Sequence, residues 1–240
     1  MIRLIKGYPT KKVKGRDMVE VEKSTDTKKI NSEVMLDMIL YDEENYIEKK
    51  ISIRDLPKLV ESLKDRDEIL WLNMDDEYDE SSVEEICDVF NIHPLVVEDI
   101  ILEGQRPKIE DYNDYVFAVA KMIYYKEKDL IMEQISFIIG KDYLLTFGEE
   151  AGDVFDDVRR RLRKRGSSLR KYKIDYLLYD LLDAIIDGYF KTLEIIGDEI
   201  DLLEGEILKS SNDEDQYRIR KVKKNLLYIH KYSWPLRDVV

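Results

Sequence analysis

Carboxylates are the chemically suggestive side chains here, and they fall in two places. Glu98 and Asp99 are adjacent in a stretch that reads as a short helix, so they project about 100° apart and face two neighbouring positions. Asp180, Asp183, Asp187, Glu194, Asp198 and Asp201 recur at intervals of 3, 4, 7, 4 and 3 along a longer helical stretch, on a narrow face almost opposite its apolar stripe. Like charges at these spacings cost an isolated helix about 1–2 kcal/mol in all, so something must offset or screen them. For the distal acids, salt bridges from Arg218, Arg220, Lys221, Lys223 and Lys224 on a following helix suffice. For Asp180, Asp183 and Asp187 a bound cation competes with a merely solvated face. For Glu98 and Asp99 the plainer reading is two charges near a helix start, favoured by its dipole. Magnesium chemistry suits such a set: a small hard dication takes oxygen ligands, keeps several waters and often needs only one or two protein carboxylates.

Other chemistries are poorly supplied. Two histidines, His93 and His230, lie far apart and Cys87 is the one cysteine, so a zinc or other soft-metal site is poorly supported. A lone cysteine also excludes an internal disulfide framework and fits a reducing compartment. His93, just before Pro94, reads as a turn or capping residue. No Gly-rich phosphate loop, nucleophile elbow or HExxH motif occurs, which argues against an enzyme. The formal charge of −13 disfavours nucleic acid and favours cationic partners. The strongest basic cluster, Arg159 to Lys173, reads as a solvated helix end, with an RNA- or lipid-binding arm as the rival reading.

The elements that must position these groups follow from periodicity. Residues 1–32 form a polar, partly flexible lead-in. From Glu33, Val34, Leu36, Met38 and Leu40 alternate with Met35, Asp37, Ile39 and Tyr41 as in a strand. Tyr46–Ile53 reads as a second strand, Arg54–Lys64 as a helix and Glu68–Asn73 as a buried strand. A capping box, Ser82 with Glu85, opens a helix to Phe90, and Pro94 suits the first turn of the next. Tyr115–Tyr125, Leu130–Gly140 and Tyr143–Phe147 form a strand meander. Proline-free from Lys173 to Leu208, a helix of ~50 Å follows. Ser211 and Glu214 cap its partner, which runs to Trp234-Pro235, and the two make an antiparallel hairpin. No run approaches the ~18 apolar residues of a membrane helix, so the chain as given is expected to be soluble.

Three strings carry a resemblance. Asn91–Phe117 (NIHPLVVEDIILEGQRPKIEDYNDYVF), Ile174–Phe190 (IDYLLYDLLDAIIDGYF) and Ser233–Arg237 (SWPLR) closely resemble the cytoplasmic domain of CorA-type magnesium/cobalt channel-transporters. The likeness covers roughly the last two thirds of the chain. It implies a homopentamer with regulatory Mg2+ sites between adjacent cytoplasmic domains, to which Glu98, Asp99 and Asp183 would contribute, with Asp180 and Asp187 as weaker candidates. The His-Pro, Arg-Pro-Lys and Tyr-Val-Phe parts of the first string read as turn and scaffold. The family's membrane helices and Gly-Met-Asn pore loop are not in this sequence, so the chain reads as a fragment truncated before its stalk.

Together these readings predict an α/β/α sandwich with a mixed sheet over residues 33–170, followed by a long antiparallel helical hairpin over 171–240. The function they predict is Mg2+ sensing for a channel that admits Mg2+ and Co2+, on the cytoplasmic side of the cell membrane. Mg2+ is the expected regulatory ion, with Co2+ or other divalent cations as further candidates. Anchorage would come from the missing C-terminal helices, no nucleic acid would be bound, and the fragment alone would be a monomer or weak oligomer. Two rivals stand beside this: a zinc-transporting relative, and a helical-hairpin interaction protein that senses no ion.

Overall fold

The computed structural model describes residues 34–64, 66–75, 80–102, 104–126, 129–149, 152–208, 213–237 and 239. The lead-in at 1–32 and the Ser211 half of the second capping box lie outside the described residues. Seven strands form one mixed sheet: β1 (Met35–Tyr41), β2 (Tyr46–Ser52), β3 (Ile69–Met74), β4 (Lys108–Asp111), β5 (Val116–Lys126), β6 (Asp129–Ile139) and β7 (Tyr143–Gly148). Their order is β2-β1-β3-β7-β6-β5-β4. Every neighbouring pair is antiparallel except β3 and β7, which run parallel with Leu70 opposite Tyr143 and Met74 opposite Phe147. The mixed sheet between helical layers is the predicted fold class.

Strand alternation sorts side chains into two cores. Leu36, Met38 and Leu40 of β1 face one side, with Leu70 and Leu72 of β3 and Leu145 of β7. Helices α1 (Leu56–Leu63), α2 (Glu80–Val89) and α3 (Pro94–Ile101) cover that side through Leu56, Val83, Ile86, Val96 and Ile100. Ile39, Tyr41, Trp71, Ala118, Ala120 and Phe137 face the other side. There α4 (Asp156–Arg163) contributes Val158 and Leu162, and α5 (Ile174–Ile207) contributes Leu177, Leu181 and Ile185. Central β3 is buried along its whole length, as expected of a strand with helices on both faces.

Helix α5 lies against β5 at one close point. A Cβ on Gly188 would stand 3.0 Å from the Ile123 carbonyl oxygen, so the smallest residue lets the helix reach the strand. One turn on, the buried Thr192 hydroxyl donates to the same carbonyl at 3.4 Å. Past this seat α5 pairs with α6 (Asp213–Leu236) in the hairpin, where Ile196 and Leu203 join Val222 and Ile229.

Two local expectations are corrected. Helix α2 is already formed at Glu80, so Ser82 is a buried residue inside the helix beside Val83 rather than its cap. The four-residue edge strand β4 was not anticipated: its single apolar residue, Ile109, points outward, and Lys108 and Glu110 occupy the more sheltered side.

Candidate cation-binding site

Helix α3 begins as its sequence suggests. Pro94 takes the first position, and His93 caps the helix by accepting the Leu95 N–H on Nδ1 at 3.2 Å. His93 is thereby used as a cap. Val96 and Ile100 point into the core, which turns Glu98 outward and Asp99 sideways toward β4. Exposed Glu98 lines an open cleft of about 670 Å3 with Glu80, Glu84 and Asp88 of α2. Those three acids recur every four residues, a helical stripe that could have been read from the sequence and was not.

Asp99 is held on both oxygens. Gln105 Nε2 donates to Oδ1 at 2.9 Å, and the Lys108 ammonium sits 2.5 Å from Oδ2. The same ammonium reaches Glu110 Oε1 at 3.0 Å, and the Tyr112 hydroxyl donates to Glu110 Oε2 at 3.2 Å. Burial works against the charge on Lys108, but the bonds from Asp99 and Glu110 outweigh it and leave the lysine above its ordinary range. Behind Asp99 stands Gln134, which is 2% exposed. Its amide donates to the Asp99 and Leu102 carbonyls at 3.2 and 3.4 Å, and its oxygen accepts the Gln105 N–H at 2.9 Å. These bonds satisfy carbonyls at the end of α3 that the helix leaves open. Lys108, assigned from sequence to the scaffold, is thus the closest partner of a candidate ligand.

The α5 acids divide. Asp183 and Asp187 are exposed. Asp180 shares their helical face but not their exposure: it is 4% exposed, and Arg161 of α4 lies 2.7 Å from its Oδ2. Burial pushes its carboxyl up; Arg161 partly opposes that, and the Asp183 charge adds to it. The exposed part of the acidic stripe therefore starts at Asp183, because Asp180 belongs to the joint between α4 and α5. At the distal end Arg218 bridges to Glu206 and, at 4.0 Å, to Glu199, neither of them a member of the stripe, and Lys221 reaches Asp129 of β6.

The sheet separates the two groups of carboxylates. Val96 and Ile100 of α3 lie in one core, Leu181 and Ile185 of α5 in the other, so Glu98 and Asp99 do not meet Asp183 within one chain. Among the described residues, no three Asp, Glu, His or Cys side chains converge closely enough to hold a metal ion. The oxygen donors suit Mg2+, which can keep most of its waters, but each group is at most part of a coordination shell.

The basic cluster is a solvated helix end only in part: Arg160, Lys164, Arg165 and Lys171 are exposed, while other members are engaged within the fold. Arg159 grips Asp153 through two 2.6 Å bonds and lies over the Trp71 ring. Arg163 bonds Glu48 of β2. Arg170, 5% exposed, donates to the Leu162 carbonyl and stacks on Tyr46. These three arginines tie α4 to the sheet, which takes them out of the basic surface that suggested RNA or lipid.

Comparisons with known proteins agree with this architecture. The model of the CorA-like Mg2+ transporter protein family matches residues 66–240. The cobalt/magnesium transport protein CorA of Thermotoga maritima is 45% identical over 172 residues, which is 71% of this chain and 49% of that protein. Its namesake from Methanocaldococcus jannaschii is 24% identical over 188 residues, 77% of this chain and 58% of that protein. The chain thus spans about half the length of these relatives. The solved soluble domain of CorA from M. jannaschii superposes with a TM-score of 0.65 at 22% identity, over 84% of this chain and 76% of that one. At that identity the likeness speaks for the fold. Among the described residues no helix is long and apolar enough to cross a membrane. Matched over most of its length by a family of transporters rather than of enzymes, the chain belongs to the CorA-like Mg2+ transporter family.

Proposed function

We propose that this chain is the Mg2+-sensing part of a divalent-cation transporter that passes Mg2+ and Co2+, lies on the cytoplasmic side of the membrane and works as a homopentamer. Glu98 and Asp99 of one copy and Asp183 of a neighbour, with Asp187 one turn on, share a hydrated Mg2+ ion. The observation that carries this reading is the separation of two sets of surface carboxylates by the sheet, which leaves each set to be completed by another copy. Bound Mg2+ neutralises carboxylates that face each other across copies and favours the closed arrangement. When Mg2+ is scarce, their repulsion loosens the ring and favours conduction. Asp180 serves differently, as the buried partner of Arg161.

The test uses the full-length protein. Asp99→Asn and Asp183→Asn should each raise the Mg2+ concentration that protects against proteolysis by about tenfold, the equivalent of one lost charge-bearing ligand worth ~1.4 kcal/mol. Unchanged protection in both variants sinks the site.

A second reading, assembly through the hairpin without ion sensing, draws on one observation. An apolar groove of about 630 Å3 runs between α5 and α6, lined by Ile200, Leu203, Ile207, Ile219, Leu226 and Leu227. That reading requires a melting temperature indifferent to Mg2+, whereas a ligand of the folded state raises it.

A further inference from the structure

The Lys108 ammonium stands where a cation bridging Asp99 and Glu110 would stand. It is 2.5 Å from an oxygen on α3 and 3.0 Å from one on β4, and so joins two carboxylates from different elements. The other oxygen of each is already engaged, Asp99 Oδ1 by Gln105 and Glu110 Oε2 by Tyr112. Withdrawing the lysine would leave two oriented oxygens facing a common point. The pair is reachable from solvent, with the Lys108 and Asp99 side chains 26% and 24% exposed and Glu110 40%.

We propose that Lys108 is a tethered monovalent cation that competes with Mg2+ for Asp99 and thereby sets the Mg2+ concentration at which the sensor responds. This rests on the reading of Asp99 as a Mg2+ ligand. The charge balance gives the device its selectivity. One ammonium between two carboxylates leaves a net charge of about −1, and a dication in its place brings it to about zero. Free Na+ or K+ brings no more charge than the ammonium and lacks its tether, so exchange gains it nothing. Mg2+ gains by displacing Lys108, and the displaced side chain can stay beside the Phe117 ring, which its ammonium already approaches to 5.3 Å. Apparent affinity equals the intrinsic affinity multiplied by the fraction of time that the lysine leaves the carboxylate open.

The experiment compares the full-length protein with Lys108→Met, Lys108→Arg and Asp99→Asn. Mg2+ titrations are followed by chymotrypsin resistance and by melting temperature. Lys108→Met keeps the apolar stem and removes the charge, so its half-saturating Mg2+ should fall about three- to tenfold. Its melting temperature without Mg2+ should stay level or drop. Lys108→Arg, still singly charged, should remain near wild type. A lysine with only a structural role predicts the reverse coupling, a lower melting temperature together with weaker Mg2+ protection, and that result overturns the inference. The two readings fail separately. If Asp99→Asn leaves the Mg2+ response intact, the site itself is wrong and the competition falls with it. If Asp99→Asn weakens the response while Lys108→Met leaves half-saturation unchanged or raises it, only the tethered cation is refuted.

Discussion

Two carboxylate–base pairs sit on opposite sides of one sheet and behave differently. Asp180 and Arg161 meet at 2.7 Å with the carboxylate side chain 3% exposed, while Asp99 and Lys108 meet at 2.5 Å with the carboxylate 24% exposed. Distance does not distinguish them; access to water does. A carboxylate sealed against the core cannot exchange its partner without being left uncompensated, so its base is a fixture of the fold. A carboxylate at the rim can trade one cation for another at small cost, which is what a sensor needs. The acidic residues alike in sequence therefore divide by burial into those that build the domain and those that can report on its surroundings.

Removing the sealed base should give the largest effect. Arg161→Ala strands Asp180, and with Arg161 itself half exposed the expected loss is about 2–3 kcal/mol. For a domain this size that corresponds to a melting temperature lower by roughly 5–10 °C. Adding Asp180→Asn to Arg161→Ala should restore most of the loss; failure to do so would break the distinction between the pairs. Next comes Gln134→Leu, which leaves the Asp99 and Leu102 carbonyls and the Gln105 N–H without their buried partner at a cost of about 1–2 kcal/mol. Because the same bonds orient Asp99, this variant should also weaken Mg2+ protection, whereas Arg161→Ala should not.

A smaller effect is expected with pH. Folding raises the Asp180 carboxyl above its ordinary range, chiefly through burial. A raised carboxyl contributes its stability fully below its unfolded value and loses it as pH rises through its folded one. Melting curves of Asp180→Asn against wild type should therefore shift in favour of the variant as pH climbs from about 4. A shift toward wild type over that range would show Arg161 outweighing burial. Smallest of all, Lys108→Met without Mg2+ should change stability by less than about 1 kcal/mol, since the pair is partly exposed.

Much of the fold was legible because its signals are local. The alternation in β1, the β-branched and aromatic runs of β5 to β7 and the proline-free rhythm of α5 each announce an element within a few residues. Strand β4 was missed because a single apolar residue, turned outward at a sheet edge, leaves no alternation to read. The candidate ligands were legible as residue types, and their partners were not. Lys108 and Gln105 reach Asp99 through a turn after α3, and Gln134 reaches it from a strand 35 residues away. Arg161 meets Asp180 across a helix-to-helix joint that charge spacing along α5 does not encode. Burial, which separates the two pairs, is a property of the assembled layers.

The parallel ladder between β3 and β7 has a kinetic consequence. Leu70 to Met74 wait for Tyr143 to Phe147 before they gain a neighbour on that side. At ribosomal rates of about 5–20 residues per second, the interval between the two strands lasts roughly 4–15 s. A sheet of β1, β2 and β3 formed in that interval would leave the β3 edge open to other chains. The closing of that seam unites the two halves of the sheet, and it makes the domain's synthesis, rather than its finished state, the period when it most needs protection.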